Sequence, residues 1–426
     1  MTSERRVPPR VAHTRRPFPT SATRGVHMRS AVRGVGALVV MLAMVLVAGC
    51  QADSGSGSSI QANANPGKGV ATPKKTVAPA KVTVAPGDRA ENVAVDAPVT
   101  VTASGGSLTQ VEVTNDGAPV QGTLDEAGTS WSTAAGSLLP DRVYQVHAVA
   151  KDADGQETQT NQTFTTAKPA KVLGTDIQPL NGSTVGVGMP IVVKFTAPVK
   201  DRAEVEKRLV VETSKPVEGA WHWFSSEEAH YRPKKYWPAH TDVTLKVNTK
   251  DVNAGDGAWG IKDKVRRFTI ANSVVTKVDL DDSHKARVYI NGDLARSIPV
   301  TGGKSGWETR NGTKVVLEKR QNVDFTNEAI GAPEDYDLTG RWALRVTWSG
   351  EFLHSAPWSV GSQGYSNTSH GCVGMSTSNS DWLWHVSHVG DPVEVVSSSG
   401  DQMPATGNGW GDWNVSWNEW KAGSAL

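Results

Sequence analysis

Between about residue 80 and residue 272, apolar and polar residues alternate in short runs broken by turn residues. The runs at 99–103, 110–114, 143–149 and 162–166 have this form. Period-two alternation sends successive side chains to opposite faces, so each run predicts a half-buried strand. Asn115-Asp116-Gly117 and Asp152-Ala153-Asp154-Gly155 supply the turns. Strands at this spacing predict a β-sandwich over 80–168. The pattern then recurs. The segment 186–195 stands where 95–102 stands in the first unit, and Arg267-Phe268-Thr269-Ile270 matches its closing strand. A second sandwich is placed at 169–272, with a short amphipathic helix at 201–209. Beyond it, 288–303 reads as a hairpin turning at Asn291-Gly292, which opens a β-rich unit at 273–397. The segment 320–342 carries few strong strand signals, and 398–426 forms a C-terminal extension. The chain is predicted to be mostly β.

The N-terminus has another texture. Arg29 and Arg33 precede an apolar run at 35–47 that ends in Leu46-Val47-Ala48-Gly49-Cys50. A basic region, a short apolar core and small residues are the layout of a secretory signal. The run falls short of the ~20 apolar residues of a membrane span. Its ending resembles a bacterial lipobox, which implies that Cys50 receives a lipid and becomes the new N-terminus. The alternative is an uncleaved anchor helix with an incidental cysteine. Both place the remainder outside the cytoplasm. Residues 1–27 are basic, without apolar periodicity, and translation starting at Met28 would leave the signal whole. From 50 to 79 the composition is mostly Ser, Gly, Ala, Asn, Pro and Lys. Such a segment cannot offset its ordering entropy and is expected to be a flexible tether.

Composition narrows the function. At ~150 residues per domain, 426 residues suggest two or three domains. The chain has 44 Lys and Arg against 43 Asp and Glu; taking away the eight Arg and one Glu of residues 1–49 leaves 36 against 42. That balance gives no electrostatic case for nucleic-acid binding. Two cysteines exclude a disulfide scaffold and a four-cysteine zinc site. His222, His230 and His240 alternate with aromatic residues but repeat no metal-ligand spacing, so they are read as packed or surface histidines. The loop at 251–257 lacks an EF-hand spacing and is read as an acidic turn. No metal and no cofactor is expected.

With Cys50 assigned to lipid, one cysteine remains, in Asn367-Thr368-Ser369-His370-Gly371-Cys372-Val373-Gly374-Met375-Ser376. An unpaired cysteine in an exported protein needs a reason. Cys372 lies two residues after His370 and eighteen after His354. Neighbouring imidazoles are expected to favour its thiolate, the nucleophilic form. Gly371 allows a sharp turn that brings peptide N–H groups toward a substrate oxygen. A buried structural thiol is the alternative, and it leaves Ser-His-Gly unexplained.

His354-Ser355-Ala356-Pro357-Trp358-Ser359, followed by Ser369-His370-Gly371-Cys372, resembles the catalytic signature of the L,D-transpeptidases, the YkuD-type fold. The resemblance covers about 273–426, and the two sandwiches match the multi-immunoglobulin lipoprotein members. It implies that Cys372 attacks the carbonyl between the third and fourth residues of a peptidoglycan stem tetrapeptide, releasing D-alanine and leaving an acyl-enzyme. His354 would be the general base and acid, oriented by the backbone carbonyl of Ser355. His370, Gly371 and Cys372 would build the oxyanion pocket. An amine of a second stem would then capture the acyl group in a 3→3 cross-link. Carbapenem-type β-lactams are the implied covalent inhibitors.

The resemblance extends to the edges of the site. The segment 320–342 is similar to the family's lid, Tyr336 to a substrate-contacting tyrosine, and Ser349-Gly350 to a backbone contact at the pocket's edge. Gly374 departs from the pattern: many members carry asparagine there, and a glycine offers backbone at most. Four tryptophans crowd 410–420. They are expected to pack the extension onto the second sandwich rather than to stack on sugars.

An L,D-carboxypeptidase would hydrolyse the same acyl-enzyme, and the sequence does not separate it from a transpeptidase. A non-catalytic wall-binding spacer leaves the cysteine motif unexplained. Papain-like and NlpC-type endopeptidases place their cysteine before their histidine, the reverse of the order here. The protein is expected at the outer face of the cell membrane, lipid-anchored and reaching into the wall.

Overall fold

The computed structural model describes residues 77–426 except 332, 334 and 336. The expected export signal, Cys50 and most of the tether lie outside the described residues.

The alternating runs become strands of a first sandwich. One sheet orders Lys81–Ala85, Thr100–Ser104, Ser130–Thr133 and Gly122–Leu124. The other orders Ala90–Val93, Glu157–Thr166, Val143–Asp152, Gly106–Asn115 and Ala118–Pro119. The apolar face of each strand meets in a core around Val101, Trp131, Tyr144 and Phe164. Tyr144 stacks on Phe164 at 5.1 Å, and its hydroxyl accepts the Leu139 N–H at 2.6 Å. A buried phenol is thereby satisfied.

The second sandwich pairs Thr175–Gln178, Ile191–Phe195, Glu228–Pro233 and Gly219–Trp223 against Thr184–Val185, Lys264–Ile270, Asp242–Val247 and Leu209–Thr213. Its core holds Trp221, Trp223 and Trp237. The helix runs over Arg202–Glu206, capped by the Asp201 side chain on the Glu204 N–H. It stops short of 209 because Leu209 already begins a strand. Arg142 of the first sandwich pairs with Asp251 of the second at 2.7 Å.

The third unit has two sheets around one core. Asp293–Pro299, Lys285–Ile290, Val274–Asp279, Pro392–Val396 and Gly312–Val315 form the first; Glu318–Thr326, Asp337–Arg345, Phe352–Ser355 and Val373–Met375 form the second. The Asn291-Gly292 turn is present, both residues at positive φ (51° and 97°), the geometry a two-residue hairpin loop needs. The segment with weak strand signals is a long hairpin, Glu318–Thr326 against Asp337–Arg345. Pairings such as Val323 with Gly340 and Phe325 with Leu338 hold it, and these are visible only across the ladder.

This unit docks on the second sandwich backbone to backbone: Gly186 and Gly188 donate N–H groups to the carbonyls of Val389 and Gly390, each at 2.8 Å. A Cβ on Gly186 would lie 2.1 Å from Asp391 Oδ1, so glycine is required at this close approach. The extension straddles both partners. Trp420 is fully buried, stacks on His222 at 4.8 Å and donates Nε1–H to the Ala220 carbonyl at 2.9 Å. Asn414, in contrast, bridges both backbone groups of Thr313 in the third unit. His230, 1% exposed, lies between Asp412 at 2.6 Å and Glu228 at 2.9 Å.

Candidate active site

Two short parallel strands bring the motif residues together. Phe352–Ser355 pairs with Val373–Met375 in the register Leu353 to Val373, His354 to Gly374 and Ser355 to Met375. Cys372 immediately precedes the second strand, so eighteen residues of sequence separation close to a single strand spacing.

His354 is 4% exposed. Its Nδ1 is 2.8 Å from the Ser355 carbonyl. A carbonyl only accepts, so Nδ1 carries the proton and Nε2 of the neutral ring is left as the basic atom. Burial drives the imidazole pKa down to about 4, outweighing the upward pull of the Ser355 carbonyl. Phe325 lies 4.5 Å from the ring and Trp358 6.0 Å from it. Gly340 makes room: a Cβ there would meet Phe325 at 2.5 Å and His354 Nδ1 at 2.8 Å. The Ser355 side chain faces elsewhere, accepting the Arg341 N–H at 2.8 Å.

The Cys372 thiol donates to the Gly350 carbonyl at 3.5 Å. Burial pushes its pKa up to about 12, against the opposing Phe352 N–H. This runs against the expected thiolate: desolvation favours the thiol form of the half-buried Cys372, and the His354 imidazole on the same cavity is neutral.

The turn before the cysteine is tightly tied. Ser369 Oγ donates to the Cys372 carbonyl at 2.6 Å and accepts the Gly371 N–H at 3.2 Å. Gly371 has φ +110°, a conformation L side chains rarely adopt. His370 packs edge-on against Trp307 at 5.2 Å. With the Gly371 N–H committed, the Cys372 N–H is the amide of this turn that has no hydrogen-bond partner among the described residues.

A cavity of about 510 Å³ is lined by Cys372, His354, His370, Ser349, Gly350 and Gly374, with Phe325 and Leu338 of the long hairpin covering it. Trp348 and Trp358 stand half-exposed along it. Ser355 lies behind this wall and Gly371 within the turn. Ser349 is fixed by Asn408 of the extension, which accepts its N–H at 2.8 Å. Tyr336 lies outside the described residues. Gly374 exchanges backbone hydrogen bonds with Thr301 at 2.8 and 2.9 Å, so its N–H is not available to a substrate. A Cβ there would sit 2.9 Å from Ala356 Cβ and 3.1 Å from Thr301 Cγ2, which explains the missing side chain. Phe325, Gly340 and Trp307 also shape the site; the first two fall within the segment 320–342, but no local sequence pattern marks any of the three. Among the described residues, no group of three or more His, Cys, Asp and Glu side chains could hold a metal ion.

Comparison with known proteins gives a consistent picture. A bacterial Ig domain family matches residues 90–253, and the L,D-transpeptidase catalytic domain family matches residues 273–395. L,D-transpeptidase 2 of Mycobacterium tuberculosis is 38% identical over 343 residues, covering 79% of this chain and 83% of that protein. L,D-transpeptidase 5 of the same species is 35% identical over 347 residues, covering 80% and 76%. A solved structure, the LD transpeptidase LdtMt1 in complex with imipenem, is 35% identical over 54% of this chain and 100% of its own, with a TM-score of 0.45.

Proposed function

This chain belongs to the L,D-transpeptidase family, and from that premise we propose that it forms 3→3 cross-links in peptidoglycan through a Cys372 acyl-enzyme. In the first half-reaction the thiol proton passes to His354 Nε2 as sulfur bonds to the carbonyl between the third and fourth residues of the donor tetrapeptide. The oxyanion is received by the Cys372 N–H. Collapse breaks the peptide bond, and His354 returns the proton to the departing D-alanine amine. In the second half-reaction His354 takes a proton from the side-chain amine of an acceptor stem, which attacks the thioester and expels the sulfur, reprotonated as the thiol.

The observation that carries this reading is the bond from His354 Nδ1 to the Ser355 carbonyl, which leaves Nε2 unprotonated in the cavity that Cys372 shares. A strained β-lactam amide offers the same electrophilic carbonyl, so carbapenem-type compounds are expected to acylate Cys372. The basic and apolar layout ending in Cys50 supports a lipid-anchored protein on the outer face of the membrane, with the two sandwiches spacing the catalytic domain into the wall.

Muropeptide analysis after incubation with tetrapeptide dimers tests the reaction. Dimers joined 3→3 with free D-alanine are the expected products, whereas tripeptides without such dimers would assign an L,D-carboxypeptidase. Cys372→Ser is expected to abolish both products and mass-detectable acylation, because a hydroxyl lacks thiol acidity.

A further inference from the structure

Beneath the nucleophile lies a buried ion cluster that the reaction above does not use. Lys314, on the strand Gly312–Val315, is 0% exposed, and its Nζ is 2.8 Å from Glu351 Oε2. Glu351 is itself buried, and its other oxygen accepts the Arg310 backbone N–H at 3.0 Å and Arg310 Nη1 at 2.9 Å. Two cations thus share one carboxylate. Desolvating such a group costs more than an apolar replacement would, so stability alone is a weak reason for its presence.

The placement of Glu351 supplies another reason. It sits in sequence between the two residues whose backbones touch the sulfur: the Gly350 carbonyl accepts the thiol at 3.5 Å, and the Phe352 N–H hydrogen-bonds to it. The turn before the cysteine also abuts it, since a Cβ on Gly371 would lie 3.8 Å from Glu351 Cγ. Fixing this carboxylate therefore fixes the strap 350–352 against which the sulfur rests. The charges act on the sulfur as well. The Glu351 carboxylate disfavours a thiolate, while Lys314 and Arg345 favour it. Lys314 in turn senses Cys372. His354 faces the same cavity in its neutral form.

We propose that Lys314 is a positioning residue for the Cys372 nucleophile: held on Glu351, it anchors the strap 350–352 and cancels the repulsion that the carboxylate would exert on a forming thiolate. The inference rests on the reading that Cys372 is the nucleophile. Without Lys314, Arg310 and Arg345 remain to oppose Glu351. With both Lys314 and Glu351 made apolar, the excess of positive charge returns.

The test is alkylation of the full chain by iodoacetamide, followed by mass spectrometry on the peptide containing residue 372 across about pH 7 to about pH 9. Lys314→Met is expected to slow labelling about tenfold at each pH, a displacement of about one pH unit. The Lys314→Met/Glu351→Met double variant is expected to recover to within about threefold of wild type. A purely structural role would make the double variant slower than the single one, and that result overturns the proposal, as does an unchanged Lys314→Met rate. If near-ultraviolet circular dichroism shows Lys314→Met unfolded, Arg310→Gln, whose side chain is 35% exposed, must slow labelling in the same direction; an unchanged rate there overturns the proposal equally. Carbapenem acylation of the wild-type chain, read by peptide mass, tests the nucleophile assignment separately: an adduct on a peptide without residue 372 strikes that assignment, whereas wrong variant ratios in alkylation strike only the role of Lys314.

Discussion

His354 occupies the space that a side chain on Gly340 would fill: a Cβ at 340 would stand 2.8 Å from the imidazole Nδ1. Gly340 lies on the long hairpin strand Asp337–Arg345, with ordinary backbone, so its small size matters here rather than its flexibility. Gly340→Ala is expected to push the ring off the Ser355 carbonyl. A displacement of that order lowers rates by about a hundredfold. Single-turnover acylation by a β-lactam, followed by intact-protein mass, measures it. A folded variant acylating at the wild-type rate would show that the ring has room to spare.

The depressed pKa of His354 sets the pH response. Burial lowers it from the ordinary 6.5 to about 4, so the unfolded chain binds a proton between those values that the folded chain does not. Stability therefore falls as pH drops from about 6.5 toward about 4. The base stays neutral, and acylation persists, through the same window. The acid limb of the acylation rate is expected to be centred near pH 4; a midpoint near 6.5 would contradict a desolvated imidazole.

Gly374→Asn, which installs the side chain many family members carry, is expected to lower acylation here rather than raise it. The new Cβ would meet Ala356 Cβ at 2.9 Å on the segment that follows His354 and Ser355. Overpacking of this kind costs about 1–3 kcal/mol. Adding Ala356→Gly relieves the nearest contact and is expected to restore much of the loss. The pair is checked by thermal melts and acylation rates of both single variants and the double; a Gly374→Asn enzyme as fast as wild type would refute the steric explanation.

The extension is latched by a charge pair that responds to base. Burial alone would lower the His230 pKa, but Asp412 and Glu228 outweigh it and raise the value to about 9. The folded value exceeds the unfolded 6.5, so this contribution is fully present below about pH 6.5 and is lost as pH rises through about 9. His230→Ala strands the buried Asp412 and is expected to destabilise by about 3–5 kcal/mol. Melting temperatures from neutral to alkaline pH read both effects. A wild-type melt that is flat between pH 6.5 and pH 9 would remove the latch.

Local chemistry carried much of the architecture. Period-two alternation and turn residues located both sandwiches, and Asn291-Gly292 specified its hairpin because few other dipeptides tolerate two positive φ angles. The order of His354, Ser355 and Cys372 and the Ser369-His370-Gly371 turn were legible because this chemistry requires those residue types close together in sequence or at one spacing. The long hairpin at 318–345 was less so. Its strand pairing depends on partners such as Val323 and Gly340, which no single-chain periodicity displays.

What the sequence determined by itself is the set of reactive atoms: one thiol, one imidazole beside a carbonyl, and a glycine turn. Their state was decided only by the tertiary structure. Phe325, Gly340 and Trp358 close around His354 from separate segments, and the same burial holds Cys372 protonated. Lys314 and Arg310 reach Glu351 across about forty residues of chain. Backbone conformation follows from steric limits within a few residues, so sequence can announce it. Protonation follows from desolvation and charge summed over everything that folds around the group, and that sum exists only once the chain has packed.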